Sequence, residues 1–324
     1  MAALIPKGSV AWGLQLPVQA QSTIFAQPWE AAAGPAELVQ IAQAADRAGA
    51  LYVGVCDHIA IPEPADQAMG TTWYDSVATL AYLAAKTTSV NLLSHVFVLP
   101  YRPALMTAKA FVTLDALSGG RAILGAGAGH VADEFAALGV DFDNRGPAVA
   151  DAIGVIRSAF ENHYVEVEAQ ARAGEQADTR SLRVGIAPRP VRPGGPPIWI
   201  GGSSRPAITR AARLADGWLP QGPPSMGLSA AIEFIRSTRA DAGLLEDFDI
   251  GITGGPIFVG EPGVDLTLPE HTMVGDPEQL AERIARMTAR GVNQLQFQFM
   301  GRDAAQVCDQ IERFGADVAP LVQP

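Results

Sequence analysis

The feature that most constrains the fold is a regular alternation of short apolar runs and helical stretches along the chain. It is clearest over residues 92–145, where an apolar run predicts a buried strand that Pro100 ends. A helical stretch follows as far as Ser118, and a second strand begins at Arg121 and runs into glycines. A further helix is predicted from Ala132. Strand, helix, strand and helix in this order are typical of a parallel sheet with helices outside.

The same alternation predicts about eight strands over the whole chain, with no linker and no block of charge between them. The apolar runs interpreted as strands lie at residues 10–16, 51–56, 90–99, 121–124, 198–200, 216–219, 250–259 and 292–299. A single α/β domain over residues 1–324, folded as a closed (β/α)8 TIM barrel, accommodates all of them. An open doubly-wound sheet is the alternative, but the later strands are hard to place in it. Residues 161–197 lose the periodicity and hold several prolines, so we expect an irregular insertion there.

The composition limits the classes of partner. The 324 residues carry 23 Lys and Arg against 34 Asp and Glu, a formal net charge of −11. That charge repels nucleic acid and membrane surfaces, although a few arginines and backbone N–H groups can still hold an anionic cofactor. The presence of only two cysteines indicates a reducing cytoplasm, and no apolar run approaches the ~18 residues of a membrane span. We therefore expect a cytoplasmic protein with a small-molecule substrate, and no nucleic acid or membrane partner.

Polar residues follow or interrupt several of the predicted strands. Asp57 and His58 follow the second strand, the pair Ser94–His95 lies within the third, and His130 follows the glycines of the fourth. Active sites of barrel enzymes lie where the strands end, so we expect these side chains near one another. His58 could act as an acid or base near neutral pH, and Asp57 could orient a ring nitrogen or accept from a cofactor. The alternative is structural, with Asp57 as a helix cap and His58 as a loop residue.

Two glycine-rich turns each come before a predicted helix. They are Gly125–Gly129 and Gly201–Ser204. Such turns present backbone N–H groups and the positive end of the helix dipole, so together they suit a phosphorylated ligand across the barrel mouth. The alternative is that the glycines only allow tight turns. Residues 127–132 also fit the loose dinucleotide pattern G-x-G-x-x-A, but they follow a fourth strand and no strand-terminal acid comes at the usual spacing.

A metal site is a competing interpretation of the same residues. His58, His95 and His130, with Asp57, could converge as ligands of a barrel metallohydrolase. Such barrels usually carry an H-x-H pair after the first strand, whereas residues 13–17 here contain no histidine. We therefore disfavour the metal site. His163 and His271 lie in irregular segments and receive no role.

Longer motifs carry a resemblance to a known family. They run through Val55–His58, Val98–Pro103, Thr113–Arg121, Leu124–Gly129, Asp133–Phe135, Leu138–Val140, Arg145–Gly146, Pro197–Gly202 and Ala211–Pro220. With these motifs the chain resembles the bacterial luciferase-like family of flavin- and deazaflavin-dependent oxidoreductases, most closely its coenzyme F420 branch. The resemblance implies a hydride transfer between the C5 atom of F420 and a small organic substrate. The alternatives are an FMN-dependent monooxygenase of the same family and a cofactor carrier without a substrate pocket.

The resemblance also implies roles for particular residues and a homodimer. His58 and His130 would be catalytic, although family members carry a glutamate or a tryptophan where His130 stands. The residues expected to contact the cofactor are Asp57, Ser94, His95, Ala126, Gly127, Ala128, Gly129, Gly201, Gly202 and Ser203. The Ser94–His95 bond is expected to match the cis peptide, not preceding proline, that supports the ring in the family.

Overall fold

The computed structural model describes residues 3–170 and 179–322. Eight parallel strands form the centre of the molecule. They are β1 (Ala11–Gln15), β2 (Tyr52–Val55), β3 (Asn91–Ser94), β4 (Ala122–Gly127), β5 (Ile198–Ile200), β6 (Gly217–Trp218), β7 (Asp249–Val259) and β8 (Gln294–Phe299). In most of these strands the apolar residues are buried on both faces, which is why their runs in the sequence are continuous, whereas β8 alternates glutamine with apolar residues.

The sheet closes on itself. Each strand pairs in parallel with the next along the chain, and β6 pairs with β7 through Gly217 opposite Asp249. The last strand returns to the first, with Ala11 opposite Gln294. The predicted (β/α)8 barrel is therefore confirmed, and the open doubly-wound sheet is excluded.

One long helix follows each strand on the outside of the barrel. The eight are α1 (Pro35–Arg47), α2 (Ser76–Ala84), α3 (Ala104–Ser118), α4 (Arg145–Glu161), α5 (Arg205–Leu214), α6 (Leu228–Asp241), α7 (Pro277–Thr288) and α8 (Ala304–Arg313). Several begin at a side-chain cap, as where Asp276 accepts a hydrogen bond from the backbone of Gln279. None of the helices in the described ranges is both long enough and apolar enough to cross a membrane.

The barrel has an inner and an outer core. Tyr52, Leu93, Ile123, Trp199 and Leu219 pack together in a small inner cluster. A much larger cluster joins the outer sides of the strands to the helices. Because side chains fill the inside, a ligand site must lie at the ends of the strands.

The segment 161–197 departs from the irregular insertion that its sequence predicts. Two antiparallel strands, Tyr164–Gln170 and Thr179–Gly185, form a hairpin within it. Side chains of the second strand alternate between exposed and half-buried, the period of a strand with one solvated face. The many charges of this segment hide that weak alternation in the sequence. Part of the predicted insertion, residues 171–178, lies outside the described residues.

Asp249 closes the end of the barrel away from the strand C-termini. Its carboxylate accepts hydrogen bonds from the backbone of Leu4 (2.8 Å) and Ile5 (3.2 Å) and from the indole of Trp199 (3.1 Å). Burial outweighs these hydrogen bonds and raises the pKa of Asp249 from 3.8 to about 6.

Replacing Asp249 by Asn should change how stability depends on pH. The folded protein binds this proton more tightly than the unfolded chain, so the free energy of unfolding falls as pH rises from about 4 to about 6, by on the order of 1–3 kcal/mol. The variant should lose that fall in urea unfolding measured across this range. Asp46→Asn is the control, because hydrogen bonds from Ser89 and its neighbours outweigh burial and lower the pKa of Asp46. An Asp249→Asn protein that keeps the wild-type slope would contradict this account.

Candidate active site

A cavity of about 1010 Å³ opens at the C-terminal ends of the strands. All eight strands, or the loops that follow them, contribute to its lining. The size suits a cofactor together with a small substrate. This is the end of the barrel at which the sequence predicted the site.

His58 lines this cavity and is held by a buried carboxylate behind it. Its Nδ1 lies 2.8 Å from Oε2 of Glu134, which belongs to the short helix Ala132–Ala137. The same oxygen accepts a hydrogen bond from the hydroxyl of Tyr101 at 2.8 Å. The other oxygen, Oε1, accepts from the backbone N–H groups of Ile59 (2.6 Å) and Ala60 (3.1 Å). Glu134 thus joins the loop after β2 to the segment after β4.

The charge of Glu134 determines the tautomer of His58. Burial opposes ionisation, but the hydrogen bonds from His58, Ile59, Tyr101 and Ala60 outweigh it and lower the pKa of Glu134 to about 2. An ionised carboxylate can only accept hydrogen bonds, so Nδ1 of His58 carries a proton. The Nε2 atom has no hydrogen-bond partner among the described residues, and neutral His58 therefore keeps a lone pair for a ligand.

The second predicted catalytic histidine lies beside the first. The rings of His58 and His130 have centroids 5.8 Å apart, and the indole of Trp73 contacts His58 from another side at 4.4 Å. Partial burial, and then repulsion from His58 when that ring is protonated, lower the pKa of His130. His130 is therefore neutral near pH 7, although it lies at the exposed mouth of the cavity.

The carboxylate of Asp57 forms an ion pair and a backbone hydrogen bond that the sequence did not predict. Arg102 donates to both of its oxygens at 2.8 Å, and the backbone N–H of Val98 donates to Oδ2 at 2.9 Å. The residue lines the cavity, but its carboxylate ties the end of β2 to the chain beyond β3. A contact of Asp57 with a cofactor stays a prediction.

The cis peptide that does not precede proline lies one residue later than predicted. It joins His95 to Val96, not Ser94 to His95. Ser94 does not line the cavity, because its hydroxyl is paired with the backbone N–H and C=O of Gly125. No local pattern in the sequence distinguishes the Ser94–His95 bond from the His95–Val96 bond.

His95 lines the cavity but both of its ring nitrogens are occupied. Nε2 lies 3.1 Å from the carbonyl of Leu219, and Nδ1 lies 3.0 Å from Nε2 of Gln296. Burial lowers the pKa of His95 to about 4, so the ring is neutral. Its own carbonyl accepts a hydrogen bond from Gln221 at 2.8 Å, which holds the cis peptide in place.

The predicted glycine turns meet at Val96. A Cβ added at Gly127 or at Gly201 would overlap a methyl group of Val96, so the absence of side chains there lets this residue lie between the two turns. We call Val96 with Gly127 and Gly201 the Val96 platform. The predicted residues Ala128, Gly129, Gly202 and Ser203 also line the cavity, whereas Ala126 is buried within β4 and does not.

Two arginines lie next to the second turn. Arg145 and Arg210 both line the cavity, and neither makes an ion pair with a described residue. Burial and the charge of Arg145 lower the pKa of Arg210, and its Nε is buried with no hydrogen-bond partner. Helix α5 begins beside them at Ser204. This corner, which we call the arginine pair, suits a phosphate group.

The proposed metal ligands do not form a coordination set. His95 uses both ring nitrogens within the protein, and Asp57 uses both oxygens. Within residues 3–170 and 179–322, no group of three or more His, Cys, Asp and Glu side chains is arranged to hold a metal ion.

Several residues of the cavity escaped the sequence analysis. Glu134 belongs to one of the family motifs, and in the sequence only its position one helical turn after His130 points towards the site. Arg210 lies outside the buried face of α5, which is formed by Ala207, Ile208, Ala211 and Ala212, so the apolar period of the helix gives no sign that it lines the cavity. His271 also lines the cavity from the long loop after β7, where the sequence has no pattern.

Comparisons with known proteins agree with this fold. A family model described as luciferase-like monooxygenase matches residues 16–263. An uncharacterised protein of Mycobacterium tuberculosis is 30% identical over 66% of this chain and 75% of its own length. The F420-dependent hydroxymycolic acid dehydrogenase of the same organism is 31% identical over 57% of this chain and 48% of its own. The FMNH2-dependent dimethylsulfone monooxygenase of Pseudomonas fluorescens is 24% identical over 77% and 78%.

Solved structures show the same architecture. The coenzyme F420-dependent tetrahydromethanopterin reductase of Methanopyrus kandleri superimposes with a TM-score of 0.70, over 96% of this chain and 99% of its own. The sequences are 18% identical, so the likeness extends to the fold alone.

Alanine at Gly127 or Gly201 should disturb the Val96 platform. Each new Cβ would overlap Val96, so we expect a loss of about 1–3 kcal/mol in the free energy of unfolding. Gly154→Ala in α4 is the control, because no atom lies within 4 Å of its Cβ position and alanine favours the helix by up to about 1 kcal/mol. Denaturant unfolding compares the three variants. Equal stability in all of them would show that Val96 is not confined by the glycines.

Proposed function

Because the chain belongs to the luciferase-like monooxygenase family, we propose that it is an F420-dependent oxidoreductase that exchanges a hydride with a small organic substrate. The observation that carries this proposal is the His58–Glu134 pair, which offers a fixed proton acceptor inside a cavity large enough for cofactor and substrate. The similarity to the F420-dependent hydroxymycolic acid dehydrogenase supports the proposed cofactor. The homodimer and the cytoplasmic location stay predictions.

Oxidation of an alcohol removes a hydride and a proton, and a base at the position of His58 can accept the proton. The carbinol C–H bond breaks with its electron pair, which leaves as hydride, while the O–H bond breaks and its proton goes to Nε2 of neutral His58. The substrate thereby becomes a carbonyl compound. The negative charge of Glu134 stabilises the imidazolium that forms, and its hydrogen bond with Nδ1 holds the ring so that Nε2 is directed away from the carboxylate. In the reverse direction the same imidazolium returns the proton to the carbonyl oxygen.

His130 has a second role near the same oxygen. Its ring lies within 5.8 Å of His58 by centroid, and its pKa is lowered, so it stays neutral through the proton transfer. A neutral imidazole can donate one hydrogen bond to the substrate oxygen. We assign it the orientation of the substrate, with His58 as the group that changes charge.

The residues that would hold F420 are those of the Val96 platform and the arginine pair. The platform offers a smooth support for a planar ring, and the arginines with the first turn of α5 would bind a phosphate. When bound, the deazaflavin accepts or donates a hydride at C5. The protein positions the substrate carbon towards it and excludes water.

FMN is the second candidate, because its isoalloxazine ring and ribityl phosphate would also need a flat support and a phosphate site. The dimethylsulfone monooxygenase supports this alternative. The fixed base at the substrate favours F420, since hydride transfer at an alcohol needs a proton acceptor at that oxygen.

Substitutions of His58 and Glu134 test the proposed chemistry. With F420 and a panel of secondary alcohols, His58→Ala should lower kcat by on the order of 10²–10⁴-fold, with cofactor affinity nearly unchanged. In Glu134→Gln the amide N–H would face Nδ1 and place the proton on Nε2, so we expect a comparable loss in alcohol oxidation. Loss of the oxidised deazaflavin's absorbance measures turnover.

The matched control is Glu282→Gln, an exposed carboxylate on α7 paired with Arg286. It should leave kcat unchanged. Wild-type turnover in the His58→Ala protein would assign the proton transfer to another group and contradict the proposal.

A further inference from the structure

Two large apolar side chains at the cavity mouth are exposed to solvent. Ile24 is 63% and Phe25 is 69% exposed, and both line the cavity. Single apolar residues on a protein surface are ordinary, but adjacent ones at the rim of a ligand cavity mark a place where an apolar group binds.

Their exposure does not come from an unanchored loop. The carbonyl of Phe25 accepts a hydrogen bond from Gln298 at 2.7 Å, and the backbone N–H of Ala26 donates to Ser22 at 2.8 Å. The backbone N–H of Thr23 donates to Ala68 in the neighbouring loop at 3.1 Å. The loop after β1 is therefore fixed at both sides while its apolar side chains remain uncovered.

These side chains belong to a surface that reaches His58. The loops after β1 and β2 pair through a bridge between Ala20 and Trp73, and the ring of Trp73 contacts that of His58. Ile24, Phe25, Met69 and Trp73 all line the same cavity, and we call these four residues the apolar wall.

The charges around the cavity are divided between two sides. Residues 17–34 and 59–75, which carry the apolar wall, contain no Lys or Arg. They contribute Glu30, which lines the cavity and accepts from the backbone of Val18 and Gln27. The cations of the lining, Arg145 and Arg210, follow β4 and β5 instead. An anionic substrate body would thus meet no cation on the wall side.

We infer that the substrate is an uncharged molecule whose apolar body lies against the apolar wall while its hydroxyl or carbonyl group faces His58. The position of the substrate's hydroxyl or carbonyl group rests on the proposed function. The apolar character of the rest of the substrate rests on the apolar wall alone. Phosphorylated and carboxylate substrates are disfavoured, because among the described residues that line the cavity the two arginines lie on the cofactor side. Each methylene that the wall covers should raise affinity about two- to fourfold.

Ligand binding measured by calorimetry tests the inference separately from catalysis. The probes are 2-butanone, 2-hexanone and 2-octanone, with 7-oxooctanoate as the anionic partner of the last, each with and without F420. We expect affinity to rise about two- to fourfold per methylene through the ketones, and 7-oxooctanoate to bind at least about tenfold more weakly than 2-octanone.

Phe25→Ser should flatten the dependence on chain length, while Leu245→Ser, which removes an exposed apolar side chain elsewhere, should not. Ketone binding with these trends but no reduction of F420 by the matching alcohols would overturn the proposed function and leave this inference standing. Equal or tighter binding of 7-oxooctanoate would overturn the inference. So would a Phe25→Ser protein that binds ketones normally but changes its oligomeric state, since the exposed residues would then be a protein contact.

Discussion

The ionised carboxylate of Glu134 is the interaction on which the site depends. Buried without partners it would be costly, but it accepts hydrogen bonds from His58, Tyr101 and the backbone of Ile59 and Ala60. Those bonds fix the loop after β2 against the helix after β4, and they also fix which nitrogen of His58 is free. One buried charge thus determines both the shape of this part of the cavity and the chemistry available in it.

Around the His58–Glu134 pair, the lining of the cavity is divided into three separate surfaces. The Val96 platform forms a smooth floor because two glycines leave room for a valine. The arginine pair places two positive charges beside α5. The apolar wall lies elsewhere in the lining, on the loops after β1 and β2. A planar anionic cofactor and an uncharged substrate can therefore occupy one cavity without competing for the same contacts.

The sequence predicted the barrel well, because most of the strands are apolar runs that must be buried on both faces and they alternate regularly with helical stretches. It also predicted that His58, His130 and the glycine turns would meet, since all of them follow parallel strands. It could not show that Ser94 points away from the cavity, that the cis bond lies at His95–Val96, or that Arg102 engages Asp57. Those facts depend on side-chain direction and on contacts between distant segments, which no local pattern encodes.

The identity of the bound cofactor tests the account most directly. The protein can be purified from a host that makes both F420 and FMN, and the ligand that remains bound can be identified by its absorbance spectrum and mass. The account predicts a deazaflavin with its phosphate-linked side chain. FMN bound instead, with F420 present in the same cells, would contradict it and would move the protein to the oxygen-using monooxygenases of its family.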